Sequence, residues 1–343
     1  MKQKLLEALK CRNEGRPPVW LMRQAGRSLP EYRALREKIS LEKLFRTPEL
    51  AAQVTRLPVD LLGVDAAILF SDILMIADVF GLSVHFVEGK GPLIEPAINS
   101  RLDVEKLEAH KVATSLSFVF ETVRLVRKDL SVPLIGFCGG PFTVASYFIE
   151  GGSGGKELMK TKNWLFSDPA SFHLLLQKIT DVSIEYLQLQ VAAGAQAVQI
   201  FDSWANVLST PAFLTFCLPY LKQIAQSIKD VPVILFCRGS TLFPEELASL
   251  NPSAISFDWH RELPALRRLV PRRIAVQGNF DPHLLKAPPS LIRSEVETLL
   301  SAMQGEPGFI VNLGHGVLPD TPFEHVKCFV DAVKNHSSAK EKV

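Results

Sequence analysis

Cysteine is scarce in this chain of 343 residues, and the five present (Cys11, Cys138, Cys217, Cys237 and Cys328) form no CxxC pair. An odd, scattered set among apolar neighbours argues against a disulfide framework and fits reduced, buried thiols. Long hydrophobic runs are missing too. No uncharged apolar stretch reaches eighteen residues, and "MKQKLLEALK" is too short in apolar residues for a signal peptide, so a soluble cytoplasmic protein with no membrane partner is expected. Charge of one sign is not in excess: 38 Lys and Arg face 36 Asp and Glu, for a net charge of +2. Nucleic acid is therefore a poor partner, because phosphate binding wants a domain-wide basic surplus. No Gly-x-Gly-x-x-Gly follows a strand and there is no P-loop, which leaves nucleotide cofactors without support.

What is present is a core and a rhythm. Apolar residues make up 47% of the chain, enough for a sizeable interior. Eight short apolar runs recur at 18–22, 65–70, 132–138, 195–201, 231–237, 253–257, 273–277 and 308–313. Continuous hydrophobicity of this kind suits strands buried on both faces of a parallel sheet. Between them lie stretches of helical periodicity, clearest over 168–195, where Asp168 and Pro169 open the helix and Gly194 closes it; 102–130 reads as another. Repeated strand–helix alternation requires right-handed βαβ units. Eight of them predict a single (β/α)8 barrel of the TIM type spanning 1–343, with short helices over 250–280. The glycine-rich "EGGSGGKEL" (150–158) reads as a mobile surface loop rather than a linker.

In such a barrel the loops after the strands' C-terminal ends build the site. Those ends supply Arg23 and Arg27, Ser71 and Asp72, Gly139 and Gly140 leading to Tyr147, Asp202 and Ser203, Arg238, Asp258, Gln277 and Asn279, and His315. No two of them stand at metal-ligand spacing, so no metal is expected. Lysine is absent from the set, which weakens a Schiff-base mechanism. The basic cluster "RQAGRSLPEYRALR" is the sharpest feature. Arg23 and Arg27 flank a glycine-containing loop at a strand mouth, suited to bidentate capture of carboxylate or phosphate. Arg33 and Arg36 share a helix face by their spacing of three, and "SLPE" (28–31) reads as a capping box with Ser28 as N-cap.

Each remaining candidate has two readings. Asp72 either caps the helix ahead of it or faces the cavity as an ionised acceptor that stabilises positive charge. Tyr147 is core packing or a hydroxyl contact. Ser203 is an N-cap or a ligand. His315, between two glycines, is a turn residue or a proton-handling group. Residues alone reach a barrel whose mouth combines arginines with a strand-end aspartate, acting on a polyanionic small molecule.

At "PVWLMRQAGRSLPEYRALR" and "GFCGGPFTVASYFIEGG" the chain closely resembles the uroporphyrinogen decarboxylase family, and the likeness continues through "FSDIL", "QIFDSWA", "QGNFDP" and "NLGHGVLPDTP". The resemblance implies a (β/α)8 barrel, a homodimer, and no metal or organic cofactor. It implies removal of the four acetate carboxylates of uroporphyrinogen III as carbon dioxide, giving coproporphyrinogen III. It also implies catalytic roles for Asp72, Arg23, His315 and Tyr147. Substrate contacts are implied at Arg23, Gln24, Ala25, Gly26, Arg27, Asp72, Tyr147, Phe201, Ser203 and His315. Asp72 would accept the pyrrole N–H groups, the arginines would hold the acidic arms, and Phe201 would form an apolar wall. The sequence departs from the usual pattern at Arg238, where lysine is common, at Asn206, where glycine is often found, and at Ser256, where glycine is frequent. None of the three is among the residues proposed to contact the substrate, so these differences bear on fine substrate placement more than on function. Two alternatives are a corrinoid- or coenzyme-M-linked methyltransferase, which needs a His-x-Cys zinc pattern, and a non-catalytic tetrapyrrole carrier. Here Leu235 stands two positions before Cys237, where that zinc pattern places histidine.

Overall fold

In a computed structural model, residues 3–87, 91–153 and 157–336 are described. Part of the predicted glycine-rich loop (154–156) and nearly all of the polar tail "HSSAKEKV" lie outside them. Among the described residues nine strands form: β1 (Ala67–Ile68), β2 (Ser83–Val87), β3 (Gly91–Glu95), β4 (Leu134–Gly139), β5 (Ala197–Asp202), β6 (Val233–Cys237), β7 (Ala254–Ser256), β8 (Ala275–Phe280) and β9 (Phe309–Leu313). Seven of them make one parallel sheet in the order β1-β4-β5-β6-β7-β8-β9. Every residue of β4 (LIGFCG), β6 (VILFC) and β9 (FIVNL) is buried, as expected of strands covered on both faces.

The first apolar run closes the circle without becoming a strand. Val19 makes a single parallel bridge to Val311, with Trp20 N donating to the Val311 carbonyl at 3.3 Å and Val311 N to that of Pro18 at 2.9 Å. On its other side Asp65 N donates to the Val19 carbonyl at 2.8 Å. Side chains supply the missing ladder: the Asp65 carboxylate accepts from Val19 N at 2.8 Å, and Asn312 Oδ1 accepts from Met22 N at 3.1 Å. Pro17 and Pro18 have no N–H to offer, so the run cannot make a regular ladder. Eight positions around the ring result, with 18–22 between β9 and β1.

The helix from Pro169 to Ala193 forms as read, with Asp168 as N-cap accepting from Ser171 N at 3.2 Å and Gly194 at its end. The stretch 102–130 instead breaks into Arg101–Lys106, Val112–Ser115 and Ser117–Asp129. His110 N donates to the Val79 carbonyl at 2.7 Å, pinning the break to the turn after β1. The capping box at Ser28 does not form. Pro30 starts the helix Pro30–Lys38, Leu29 is its N-cap, and the Ser28 hydroxyl is buried without a partner. Helices Pro244–Ser249 and Leu263–Leu269 are short, as the tight spacing requires. The antiparallel hairpin β2–β3 was not anticipated. Its alternating exposed and buried residues carry the period of a half-buried ribbon.

Candidate active site

A cavity of about 410 Å³ opens at the C-terminal ends of the strands. Its floor and rim follow from strand alternation, since residues two apart share a face. On three strand ends an aromatic residue is followed two positions later by a polar one: Phe70 and Asp72, Phe201 and Ser203, Phe236 and Arg238, all lining the cavity. The aromatic layer is continuous. Phe137 meets Phe201 edge-to-face at 5.6 Å, Phe201 meets Phe236 at 5.8 Å, and Phe236 meets the His315 ring at 5.9 Å. Phe86 and Pro92 of the β2–β3 hairpin add a further apolar wall.

Asp72 serves both of its readings. Oδ1 accepts from Leu74 N at 2.9 Å and so caps the 3-10 helix Ile73–Phe80, while the carboxylate lines the cavity. Burial raises its pKa above the ordinary carboxylate value; the Leu74 N–H bond and the Arg23 charge offset part of that rise. Arg23 sits beside it with φ of 60°, a left-handed conformation that costs a non-glycine residue about 1–2 kcal/mol. Gly316 makes the room: a Cβ there would overlap the Arg23 side chain.

Tyr147 receives a hydrogen bond from the indole N–H of Trp204, the two rings lying edge-to-face at 6.3 Å. Burial raises the phenol's pKa and the Asp72 charge adds to it, so the hydroxyl keeps its proton. Trp204 is in turn fixed through Thr143, whose hydroxyl accepts from Trp204 N at 2.9 Å and donates to Asp202 Oδ1. Asp202 is therefore not in the cavity. It is fully buried behind Ser203, beside Gly140, where a Cβ would overlap the carboxylate, and it accepts from Cys217 Sγ at 3.1 Å.

His315 lines the cavity, and its pKa is pushed down to about 3, first by burial and then by the Arg23 and Arg238 charges. Its imidazole is neutral near pH 7. The neutral ring keeps one N–H to donate and one nitrogen to accept, so it can form hydrogen bonds to a ligand without carrying a charge.

The basic cluster divides. Arg23 and Ala25 line the cavity. Arg27 instead lines an adjoining cleft of about 1000 Å³ with Tyr32, Arg33 and Arg36, and Leu41 and Phe86 border both spaces. Gln24 is fully buried in the wall, its amide donating to the Ala66 carbonyl and accepting from Leu21 N, both at 3.0 Å. Gly26 belongs to the turn, its carbonyl accepting from Leu29 N at 2.9 Å. Asp258, Gln277 and Asn279 are also wall residues: Gln277 accepts from Trp20 Nε1 at 3.0 Å, and Asn279 donates to the Asp258 carbonyl at 2.8 Å. Trp204, Phe137 and Phe236 are site residues that strand-end reading passed over, although the i, i+2 pairing flags Phe236. Arg238, one of the strand-end residues read as building the mouth, lines the same cavity, and its charge acts on His315.

Among the described residues no group of three or more His, Cys, Asp or Glu is placed to hold a metal ion. Cys237 is hydrogen-bonded with Cys217 in the core instead.

A family model described as uroporphyrinogen decarboxylase (URO-D) matches residues 1–336. The chain belongs to the uroporphyrinogen decarboxylase family. It is 52% identical to the uroporphyrinogen decarboxylase of Protochlamydia amoebophila over 332 residues, 96% of this chain and 91% of that protein. Against the uroporphyrinogen decarboxylase of Pelobacter propionicus it is 43% identical, covering 98% of this chain and 99% of the relative. A solved methyltransferase from Methanosarcina mazei superposes with a TM-score of 0.80 at 22% identity, covering 96% of this chain and 97% of that one. At that identity the likeness shows the barrel fold and nothing about the reaction. Both readings agree on an α/β barrel with a curled parallel sheet.

Proposed function

We propose that this chain decarboxylates uroporphyrinogen III, turning its four acetate arms into methyl groups and yielding coproporphyrinogen III and carbon dioxide, in the cytoplasm and as a homodimer. The observation that carries the reaction is one partly buried carboxylate, Asp72, set beside Arg23 over an aromatic floor, in a chain of this family.

Loss of carbon dioxide leaves an electron pair on carbon, which needs a sink. A pyrrole becomes one when a ring carbon is protonated to an iminium-like cation. The C–C bond then breaks, the pair moves into the ring, and an exocyclic methylene remains. Protonation of that methylene and loss of the ring proton restore the pyrrole, with one proton consumed per carbon dioxide released. Asp72 is the group suited to this cation: its carboxylate accepts the pyrrole N–H and balances the positive ring in a water-poor cavity. Arg23 holds an acidic arm. Ser203, Tyr147 and neutral His315 contribute hydrogen bonds to arms and ring. The Phe201 wall excludes water and packs on the macrocycle face.

The size of the site fits division of labour among the arginines. A macrocycle with eight carboxylate arms exceeds a cavity of about 410 Å³, so part of it lies in the adjoining cleft, where Arg27, Arg33 and Arg36 meet arms that are not reacting. Rotation of the nearly symmetric substrate would bring each ring to Asp72 in turn.

Anaerobic incubation with uroporphyrinogen III, products resolved by carboxylate number, tests the reading. Stepwise loss down to the tetracarboxylate is the expected result. Binding without release of carbon dioxide would identify a carrier, and the mass in solution tests the dimer.

A further inference from the structure

We infer that Arg238 is a second carboxylate-binding residue of the reaction cavity, holding an acidic arm on the side of the barrel mouth opposite Arg23. The inference rests on the substrate class proposed above. Around the ring, 18–22 occupies the first position and β6 the fifth, after β1, β4 and β5. Arg23 and Arg238, which follow those two, therefore emerge half a circumference apart, and both line the cavity.

The loop that carries Arg238 is held from several sides. Arg238 N donates to the Asp202 carbonyl at 3.2 Å, and Gly239 N donates to the Asp258 carboxylate. Asp258 N is held by Ser240 Oγ at 3.0 Å. Gly239 has φ of 82° and packs against Asn206, whose Cβ would be 3.1 Å from a Cβ on the glycine. Two of the three departures from the family pattern thus meet at one loop. The side chain of Arg238 has no ion pair with any carboxylate among the described residues, although half-buried cations are ordinarily paired. Asp72, the acidic group of the cavity, lies beside Arg23.

A half-buried guanidinium without a counter-charge, on a fixed backbone, facing the cavity of an enzyme for a polycarboxylate, is built to receive a carboxylate from the ligand. The fork of an arginine takes that group by two parallel hydrogen bonds, fixing the direction of the arm, whereas a lysine offers a point charge. With arms gripped at Arg23 and Arg238, the macrocycle is spanned across the mouth, and the ring at Asp72 is set in its plane.

The test compares wild-type protein with Arg238→Met and Arg238→Lys. Replacing the charge by methionine is expected to raise KM for uroporphyrinogen III by about ten- to hundredfold, more than it lowers kcat, and to release partly decarboxylated intermediates. Lysine is expected to recover most of the affinity while still releasing intermediates. Melting temperatures should not fall, since no native ion pair is lost. A KM for Arg238→Met within about twofold of wild type, or melting temperatures lowered in both variants with the product distribution unchanged, would overturn the inference. The dissociation constant of uroporphyrinogen III, measured in parallel, separates the two proposals. If the wild type releases no carbon dioxide, the proposed reaction fails. The Arg238 claim then stands or falls on whether methionine weakens binding.

Discussion

Asp72 concentrates the conflict between stability and reaction in one side chain. Its pKa in the folded protein is raised by burial, so the folded state binds that proton more tightly than the unfolded chain. The stabilisation is fully present below the unfolded value of 3.8 and is lost as pH rises through the folded one. At neutral pH the ionised group is a net cost. Asp72→Asn keeps an acceptor for the Leu74 cap and removes that cost. It is expected to bind substrate, to melt no lower than wild type at pH 7, and to lose turnover by about a hundredfold or more; near-normal turnover would refute the cation-stabilising role. In wild-type protein, kcat/KM should fall in acid with a midpoint above the ordinary carboxylate range. His315, at about 3, does not titrate there, so the same limb should survive in His315→Gln. Much of this was legible beforehand: barrel logic alone collects Asp72, Tyr147, Ser203 and His315. The charge state of His315 was not, because it depends on burial and on arginines distant in sequence. The separation of Arg27 from Arg23 was hidden for a similar reason, being set by a left-handed turn at Arg23.

Among the elements, the helix Pro141–Glu150 does most to place the site. Thr143, in its first turn, ties the end of β5 to Trp204 and so to Tyr147. Thr143→Val preserves shape but leaves Trp204 N without its partner and the buried Asp202 with one donor fewer. A destabilisation of about 1–3 kcal/mol in urea unfolding is expected, together with reduced turnover as Tyr147 loses its orientation. Stability and turnover both at wild-type values would show that the link is idle. The sequence displayed the strands here well, because β4, β5 and β6 are continuous apolar runs. It concealed the hairpin β2–β3, a ribbon whose alternation is interrupted by proline and glycine at 91–92.

For the whole molecule, the count of eight apolar runs was enough to reach a closed barrel, and family membership extends over nearly the full chain. What no run of letters displays is that the first of the eight is joined to its neighbours partly through side chains, Asp65 and Asn312 standing in for backbone partners. Arg16 secures Asp65 in turn through paired contacts of 2.7 and 2.9 Å.

That seam runs directly into Arg23. A barrel laddered over five residue pairs between β4, β5 and β6 is thus joined more loosely along the line where its anion-gripping loop begins. Amide deuterium uptake should expose this: Trp20 and Met22 are expected to exchange sooner than residues of β5 and β6, and to slow once a polycarboxylate bridges the opening. Uniform protection around the circumference would mean that the join is as firm as the rest.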